Sequence, residues 1–123
     1  MNSTRLDQAV DRGRKRRERA AGDSESALER LCGDIAARHG ALFWKMRLVG
    51  RRGGPDRILM LPHLPVVFVE LKVGDNGQSA LQRQIESELH GAGQRYWLIY
   101  SALGFEERLK AFKLFETGRL QLE

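Results

Sequence analysis

The stretch Val66-Val-Phe-Val-Glu-Leu-Lys72 decides the fold of this 123-residue chain. It is rich in valine and almost wholly apolar, which is typical of a strand at the centre of a sheet. Two charged residues, Glu70 and Lys72, end it, and side chains two apart along a strand point to the same face. The sequence therefore predicts a buried strand that presents a carboxylate and an ammonium group side by side at its end.

A second strand is predicted to precede this one and to pair with it. Residues 57–61 are followed by Pro-His-Leu-Pro at 62–65, a connection short enough for an antiparallel hairpin. Asp56 follows the turn-forming Gly-Gly-Pro of residues 53–55, at the start of that strand. Because the start of one hairpin strand lies beside the end of the next, we expect Asp56 to reach Glu70 across the pair.

The rest of the chain supplies the layers around this hairpin. An apolar stripe predicts a first helix over residues 24–39, and residues 41–48 are interpreted as a strand. After the hairpin, hydrophobic spacing and turn residues predict, in order, a helix at 79–90, a strand at 96–100, a helix at 105–115 and a short strand at 119–123. A helix between two strands favours a right-handed parallel crossover. The expected class is α/β, a mixed sheet flanked by helices, with Cys32, Trp44 and Trp97 in its core.

The positive charge of the chain is concentrated at its amino-terminal end. The net charge is +5, and residues 1–20 hold seven basic and three acidic side chains, hence +4. We interpret residues 1–22 as a flexible basic arm and residues 23–123 as one folded domain. The arm has two open interpretations, a solvated tail or a phosphate-binding arm that uses Arg14, Lys15, Arg16 and Arg17.

Composition disfavours several classes of protein. No apolar run approaches the roughly 20 residues of a membrane-spanning helix, so no membrane partner is expected. Met1 is not followed by the apolar segment of a secretory signal, and the one cysteine, Cys32, cannot form an internal disulfide, which together favour the cytoplasm. The glycine-rich residues 50–54 lack the Gly-Lys-Ser/Thr ending of a nucleotide-binding loop, so no nucleotide cofactor is expected.

Asp56 and Glu70, with Lys72 beside them, point to one kind of chemistry. Two carboxylates open to water are typical ligands of Mg²⁺ or Mn²⁺, which activate a bound water and stabilise charge on a phosphodiester. A neighbouring lysine can orient that water. Taken singly, each piece is ordinary, since aspartate after Gly-Pro is usually a turn former and Glu-x-Lys at a strand end is usually a solvated face. Together, in the order strand, strand and helix, they predict phosphodiester hydrolysis.

Three blocks of the sequence resemble the signature of a known family. They are Gly50-Arg-Arg-Gly-Gly-Pro-Asp-Arg57, Val67-Phe-Val-Glu-Leu-Lys72 and Ser79-Ala-Leu-Gln82. In order and spacing they are similar to the motifs of the virus-type replication-repair nuclease (VRR-NUC) domain, a branch of the PD-(D/E)xK nucleases. The resemblance covers about residues 24–101. It implies the restriction-endonuclease-like αβββαβ core, in agreement with the order of elements predicted above.

The resemblance also implies roles for individual residues. Asp56 and Glu70 would be metal ligands together with the carbonyl of Leu71, and Lys72 would orient the attacking water. Gln82, near the start of the helix that follows, would point back into the site.

The family places one more acid on the first helix, and two residues compete for that role. Glu25 lies three residues before the apolar Leu28, as the family pattern has it, and Glu29 lies at the same offset from Cys32. We favour Glu25, and Glu29 stays open.

Family members that consist of this domain alone resemble small phage and bacterial enzymes. These act as homodimers on branched DNA such as four-way (Holliday) junctions, so the expected function is a Mg²⁺- or Mn²⁺-dependent DNA endonuclease of replication and repair. Arg51 and Arg52 are expected to hold DNA phosphates beside the metal. The helix with Phe105, Phe112 and Phe115 is expected to serve the core, with the dimer interface as its other possible use.

Two other functions compete with this one. A non-catalytic DNA-binding module would keep the fold and the basic arm, but it has no need of an acidic pocket that faces phosphates. A sequence-specific restriction nuclease would share the site, but the chain has little room for a base-reading insertion. A less selective PD-(D/E)xK nuclease would also share the site, and this alternative stays open.

Overall fold

A computed structural model describes residue 12 and residues 24–122 of the chain. Its centre is a four-stranded sheet in the order β1-β2-β3-β4, formed by Leu42–Lys45, Arg57–Met60, Val67–Leu71 and Arg95–Ile99. The first three strands are antiparallel, and β3 pairs in parallel with β4. Three helices flank the sheet: α1 over residues 24–38, α2 at Ala80–Gly91 and α3 at Ala102–Leu122. The predicted mixed α/β architecture is confirmed.

The strand β3 lies inside the sheet because its sequence can be buried on both faces. Its residues Val67, Val69 and Leu71 alternate onto one face and join a core cluster with residues of α1, β2, β4 and α3. Burial of such side chains contributes roughly 1.5–3 kcal/mol each. The α1 stripe is in the same cluster, and Cys32 in it is fully buried, which raises the pKa of its thiol to about 12.

The helix α2 covers the opposite face of the sheet and contacts β4. It begins with a capping box, in which the Ser79 side chain accepts from the Gln82 N–H and the Gln82 side chain accepts from the Ser79 N–H. Ile85 is its buried residue, and Tyr96 of β4 is buried as well. The capping box therefore fixes the residue at which α2 begins, and this point lies close to the end of β3.

The structure corrects four expectations. The strand β1 ends at Lys45, so residues 46–48 belong to a loop. Trp44 is 59% exposed, because β1 is the edge strand and only its Phe43 face packs on the core. On α3, Phe105 is buried, but Phe115 is largely exposed.

The fourth correction concerns the end of the chain, where residues 119–122 continue α3 instead of forming a strand. A glycine inside a helix costs only about 1 kcal/mol, so Gly118 does not have to end it. In addition, Glu116 forms ion pairs with Arg95 and Arg119 that hold this turn.

Two further expectations concern the basic arm and a membrane-spanning helix. The basic arm, with Arg14 to Arg17, lies outside the described residues. In the described part of the chain, none of the helices has the length and apolar character that a bilayer span requires.

Candidate active site

Asp56 lies where the hairpin prediction placed it, directly before β2. Its N–H donates to the Val69 carbonyl at 2.9 Å, and its own carbonyl accepts from the Met46 N–H at 3.0 Å. The side chain is held too, because Oδ2 accepts from the Leu71 N–H at 2.8 Å. Two of these hydrogen bonds fix Asp56 against the end of β3, and the third joins it to the loop after β1.

Glu70 is a buried carboxylate without a hydrogen bond. Glu70 is 1% exposed, and neither of its carboxylate oxygens has a hydrogen-bond partner among the residues that the structure describes. Burial raises the pKa of Glu70, and the nearby Tyr96 hydroxyl and the Lys72 ammonium group lower it, although neither forms a hydrogen bond with the carboxylate. A buried charge left without partners is costly, so these oxygens have capacity for a cation.

Lys72 follows β3 and is held at both its backbone and its side chain. Its N–H donates to the Ile99 carbonyl at 2.9 Å, and its Nζ donates to Gln82 Oε1 at 3.0 Å. The same Gln82 oxygen accepts from the Ser79 N–H at 2.8 Å. The start of α2 therefore holds the lysine in place through Gln82, and the role of Gln82 in the site stays a prediction.

Both acids of α1 lie near Asp56, but they have different partners. Glu29 is paired with Arg57, which donates from Nε at 2.7 Å and brings Nη2 to 2.5 Å of the same oxygen. Within residues 24–119, Glu25 has no ion pair, and burial and then Asp56 raise the pKa of its carboxyl. Both acids line a cavity of about 260 Å³ that also reaches Asp56 and Leu71. The pairing leaves Glu25 as the acid more available to a ligand in this cavity.

The donor set suits a hard divalent cation. Burial raises the pKa of Asp56, and the hydrogen bond from Leu71 counteracts this. In the region described, no three His, Cys, Asp or Glu side chains converge on one point, so Glu25 does not complete a three-carboxylate centre. Two carboxylates, a backbone carbonyl and several waters are a common way to hold Mg²⁺. The unpartnered oxygens of Glu70 are the feature of this structure that fits such an ion.

The loop of residues 46–55 forms a larger cavity beside Asp56, of about 570 Å³. Arg51 and Arg52, both expected to bind DNA, line it and are exposed. Arg51 is engaged by Glu88 of α2 through two hydrogen bonds, the longer of them 2.9 Å. Of the two arginines, Arg52 is thus the one without an ion pair among the described residues.

Sequence reasoning missed three residues that shape this site. They are Arg57, which pairs with Glu29, Glu88, which pairs with Arg51, and Tyr96, which lies beside Glu70. Arg57 alone gave a signal, because a charged residue directly after Asp56 at the start of a buried strand needs a partner. The other two depend on how α2 and β4 pack.

The fold is that of a VRR-NUC domain. A solved structure described as a VRR_NUC domain superposes with a TM-score of 0.65 and 21% sequence identity, covering 70% of this chain and 94% of that chain. No protein-family model and no curated protein sequence matches the chain. The similarity confirms the predicted restriction-endonuclease-like, nuclease-type fold, and the roles of the site residues stay predictions.

Proposed function

We propose that this protein is a Mg²⁺- or Mn²⁺-dependent DNA endonuclease that hydrolyses phosphodiester bonds in branched DNA. One observation carries the proposal: the buried, unpartnered carboxylate of Glu70 lies at the end of the strand that also positions Lys72 and holds Asp56. A buried carboxylate that has no hydrogen-bond partner in the described region is costly unless a ligand binds it.

Asp56, Glu70 and the Leu71 carbonyl would hold the cation. When bound, such a cation lowers the pKa of a water ligand and stabilises negative charge on the phosphate. The Leu71 N–H holds Oδ2 of Asp56 and so fixes the direction of the other oxygen.

Lys72 would orient the attacking water. Its Nζ uses one N–H for Gln82 Oε1, which leaves two donors for the water oxygen and a phosphate oxygen. Glu25, which lines the 260 Å³ cavity together with Asp56 and Leu71, would accept a hydrogen bond from that water.

The preference for branched DNA and a homodimeric state complete the proposal. Both are supported by the resemblance of the three sequence blocks. A two-fold dimer presents two equivalent sites, as two cuts on symmetry-related strands require. Arg52 and the arm residues Arg14, Lys15, Arg16 and Arg17 would bind phosphates without sequence preference. The natural place of such an activity is the bacterial or phage-infected cytoplasm.

A cleavage assay tests the proposal directly. Four-way junctions, flaps, nicked duplex and single strands would be incubated with Mg²⁺ or with EDTA, using the wild type, Asp56→Asn and the matched control Asp75→Asn in an exposed loop. We expect junction cleavage in Mg²⁺ only, a loss of about a hundredfold or more in Asp56→Asn, and no change in Asp75→Asn. Binding by Asp56→Asn should be equal or stronger, because it removes an acid near the phosphates.

Two results would count against the proposal. Wild-type cleavage by Asp56→Asn would show that the metal ligands are assigned wrongly. Tight DNA binding with no cleavage under any metal condition would favour the non-catalytic DNA-binding module instead.

A further inference from the structure

The loop of residues 46–55, which we call the basic loop, projects from the sheet directly beside the candidate site. It leaves β1 and returns to β2 at one point, where the Met46 N–H donates to the Asp56 carbonyl. The base of the loop therefore lies next to Asp56.

The basic loop is fastened to α2 rather than free. Gly53 has a φ of +89°, and a Cβ there would lie 2.8 to 2.9 Å from backbone atoms of Leu81 and Gln82. Such an approach is possible only for glycine, so the loop backbone rests on the first turn of α2. The ion pair of Arg51 with Glu88 adds a second attachment.

The basic loop contains two adjacent apolar residues, of which one is packed against the loop and the other is exposed. Leu48 is half-buried and packs against Gly54, where a Cβ would lie 2.9 Å from Leu48 Cγ. Val49 is 98% exposed, at a turn that Gly50 completes with a φ of +79°. A single exposed valine is ordinary on a protein surface. This one is held out from the protein by a fastened loop, between Leu48 and Gly50, which line the 570 Å³ cavity.

Charge identifies the occupant. Arg47, Arg51 and Arg52 lie within three residues of Val49 in the chain and are all exposed. A partner that matches an apolar tip flanked by arginines carries negative charge beside an apolar, flat surface. DNA offers that combination where stacking is interrupted, because phosphates flank the open face of a base pair. A continuous duplex covers those faces.

We propose that Val49 is a wedge that packs on the open face of a base pair at a branch point and so determines the preference for branched over continuous DNA. The inference rests on the proposed function, since it needs DNA at the site. The arginines bind the flanking phosphates and supply affinity, and Val49 supplies discrimination.

The test compares binding to a four-way junction and to a continuous duplex of the same sequence, in EDTA so that no strand is cut. The variants are Val49→Ala, Val49→Leu and the control Leu114→Ala, which removes another strongly exposed apolar side chain, on α3. A 2-aminopurine at the branch-point base pair reports unstacking by its fluorescence.

Val49→Ala should lower the ratio of junction to duplex affinity roughly fivefold, as expected when a partly buried contact loses two methyl groups. The 2-aminopurine signal should fall with it. In Val49→Leu and Leu114→Ala, the affinity ratio and the 2-aminopurine signal should both stay within about twofold of the wild-type values.

Several outcomes would overturn the wedge. They are an unchanged ratio and signal in Val49→Ala, an equal loss on junction and duplex, a wild type with no preference, or a change in oligomeric mass that makes Val49 a protein contact. Cleavage in Mg²⁺ is measured separately. A protein that shows the Val49 effect but never cuts would refute the proposed nuclease and leave the wedge standing.

Discussion

Glu70 and Glu116 are the two charged side chains that the described part of the protein buries, and their surroundings differ. Glu116 on α3 is 5% exposed, and its carboxylate accepts from Arg95 Nη2 at 2.7 Å with Arg119 Nη1 at 3.6 Å. Glu70 on β3 is 1% exposed and has no hydrogen-bond partner in the same region. A buried charge with partners holds two elements together. One without partners costs stability unless a ligand neutralises it.

The largest effect should separate these two glutamates. Glu70→Gln removes the proposed ligand, so cleavage should fall about a hundredfold or more, while the metal-free protein becomes more stable by about 1 kcal/mol because an unpaired charge is gone. Glu116→Gln should retain cleavage and lose about 1–2 kcal/mol, with the partial exposure of Arg95 limiting the cost. Junction cleavage and urea unfolding in EDTA measure both variants.

The comparison between the two residues fails in either of two cases. A loss of stability in Glu70→Gln like that in Glu116→Gln would make Glu70 a structural residue with a partner. Full cleavage by Glu70→Gln would remove it from the site altogether.

A second prediction concerns pH and uses the raised pKa of Glu70. Burial makes the folded protein hold this proton more tightly than the unfolded chain, whose carboxyl has a pKa of 4.5. Stability is therefore greatest below that value and is lost as pH rises through the raised pKa. The stability advantage of Glu70→Gln over wild type in EDTA should grow with pH across this range. Asp56 titrates in the same range and its charge raises the pKa of Glu70, so the difference measures Glu70 together with its coupling to Asp56.

The matching control for this pH series is Mg²⁺. A cation that binds the folded protein only should reduce the advantage of Glu70→Gln at high pH, because it stabilises the wild type by mass action. A difference that does not vary with pH would mean that Glu70 is not the group responsible.

A smaller effect should distinguish the two acids of α1. Glu25→Gln should slow cleavage by about 10- to 100-fold, as removal of a group that orients a ligand or water does. Glu29→Gln should affect cleavage less and stability more, because it breaks the ion pair with Arg57. Single-turnover cleavage and thermal unfolding would be measured on both variants. A greater loss of cleavage in Glu29→Gln would reverse the assignment.

The smallest effect is expected at the exposed pair of Arg51 and Glu88. Glu88→Gln should leave the melting temperature unchanged, because exposed ion pairs contribute little. DNA affinity should rise severalfold, since Arg51 is released for a phosphate. Glu106→Gln, which removes a partly buried carboxylate paired with Arg38 and Lys110, is the control for net charge and should not raise affinity as much. Equal gains in the two variants would reduce the effect to net charge.

The sequence predicted those parts of the site that depend on local pattern. The alternating pattern of β3 and the short connection after β2 were enough to predict that Asp56 lies at the end of β3, beside Glu70 and Lys72. Ser79 and Gln82 are three residues apart, which is the spacing of a capping box. Each of these relations spans few residues or one hairpin.

What the sequence could not predict depends on packing between distant elements. Glu25 and Glu29 have the same offset from an apolar residue, and only the position of Arg57 against α1 separates them. The exposure of Trp44 follows from β1 being the edge strand, which no local pattern reveals. The continuation of α3 past Gly118 depends on Arg95, more than twenty residues earlier in the chain.

Gln82 Oε1 accepts hydrogen bonds from both Ser79 and Lys72, and these two contacts determine which substitutions position 82 can accept. A capping box takes glutamate as readily as glutamine, and the two amino acids have codons that differ by one base. Folding alone therefore does not oppose this exchange. On the proposed chemistry the lysine does, because a carboxylate would hold its ammonium in an ion pair and away from water and phosphate. A library selected for stability should accept glutamate at position 82, and a library selected for cleavage should reject it.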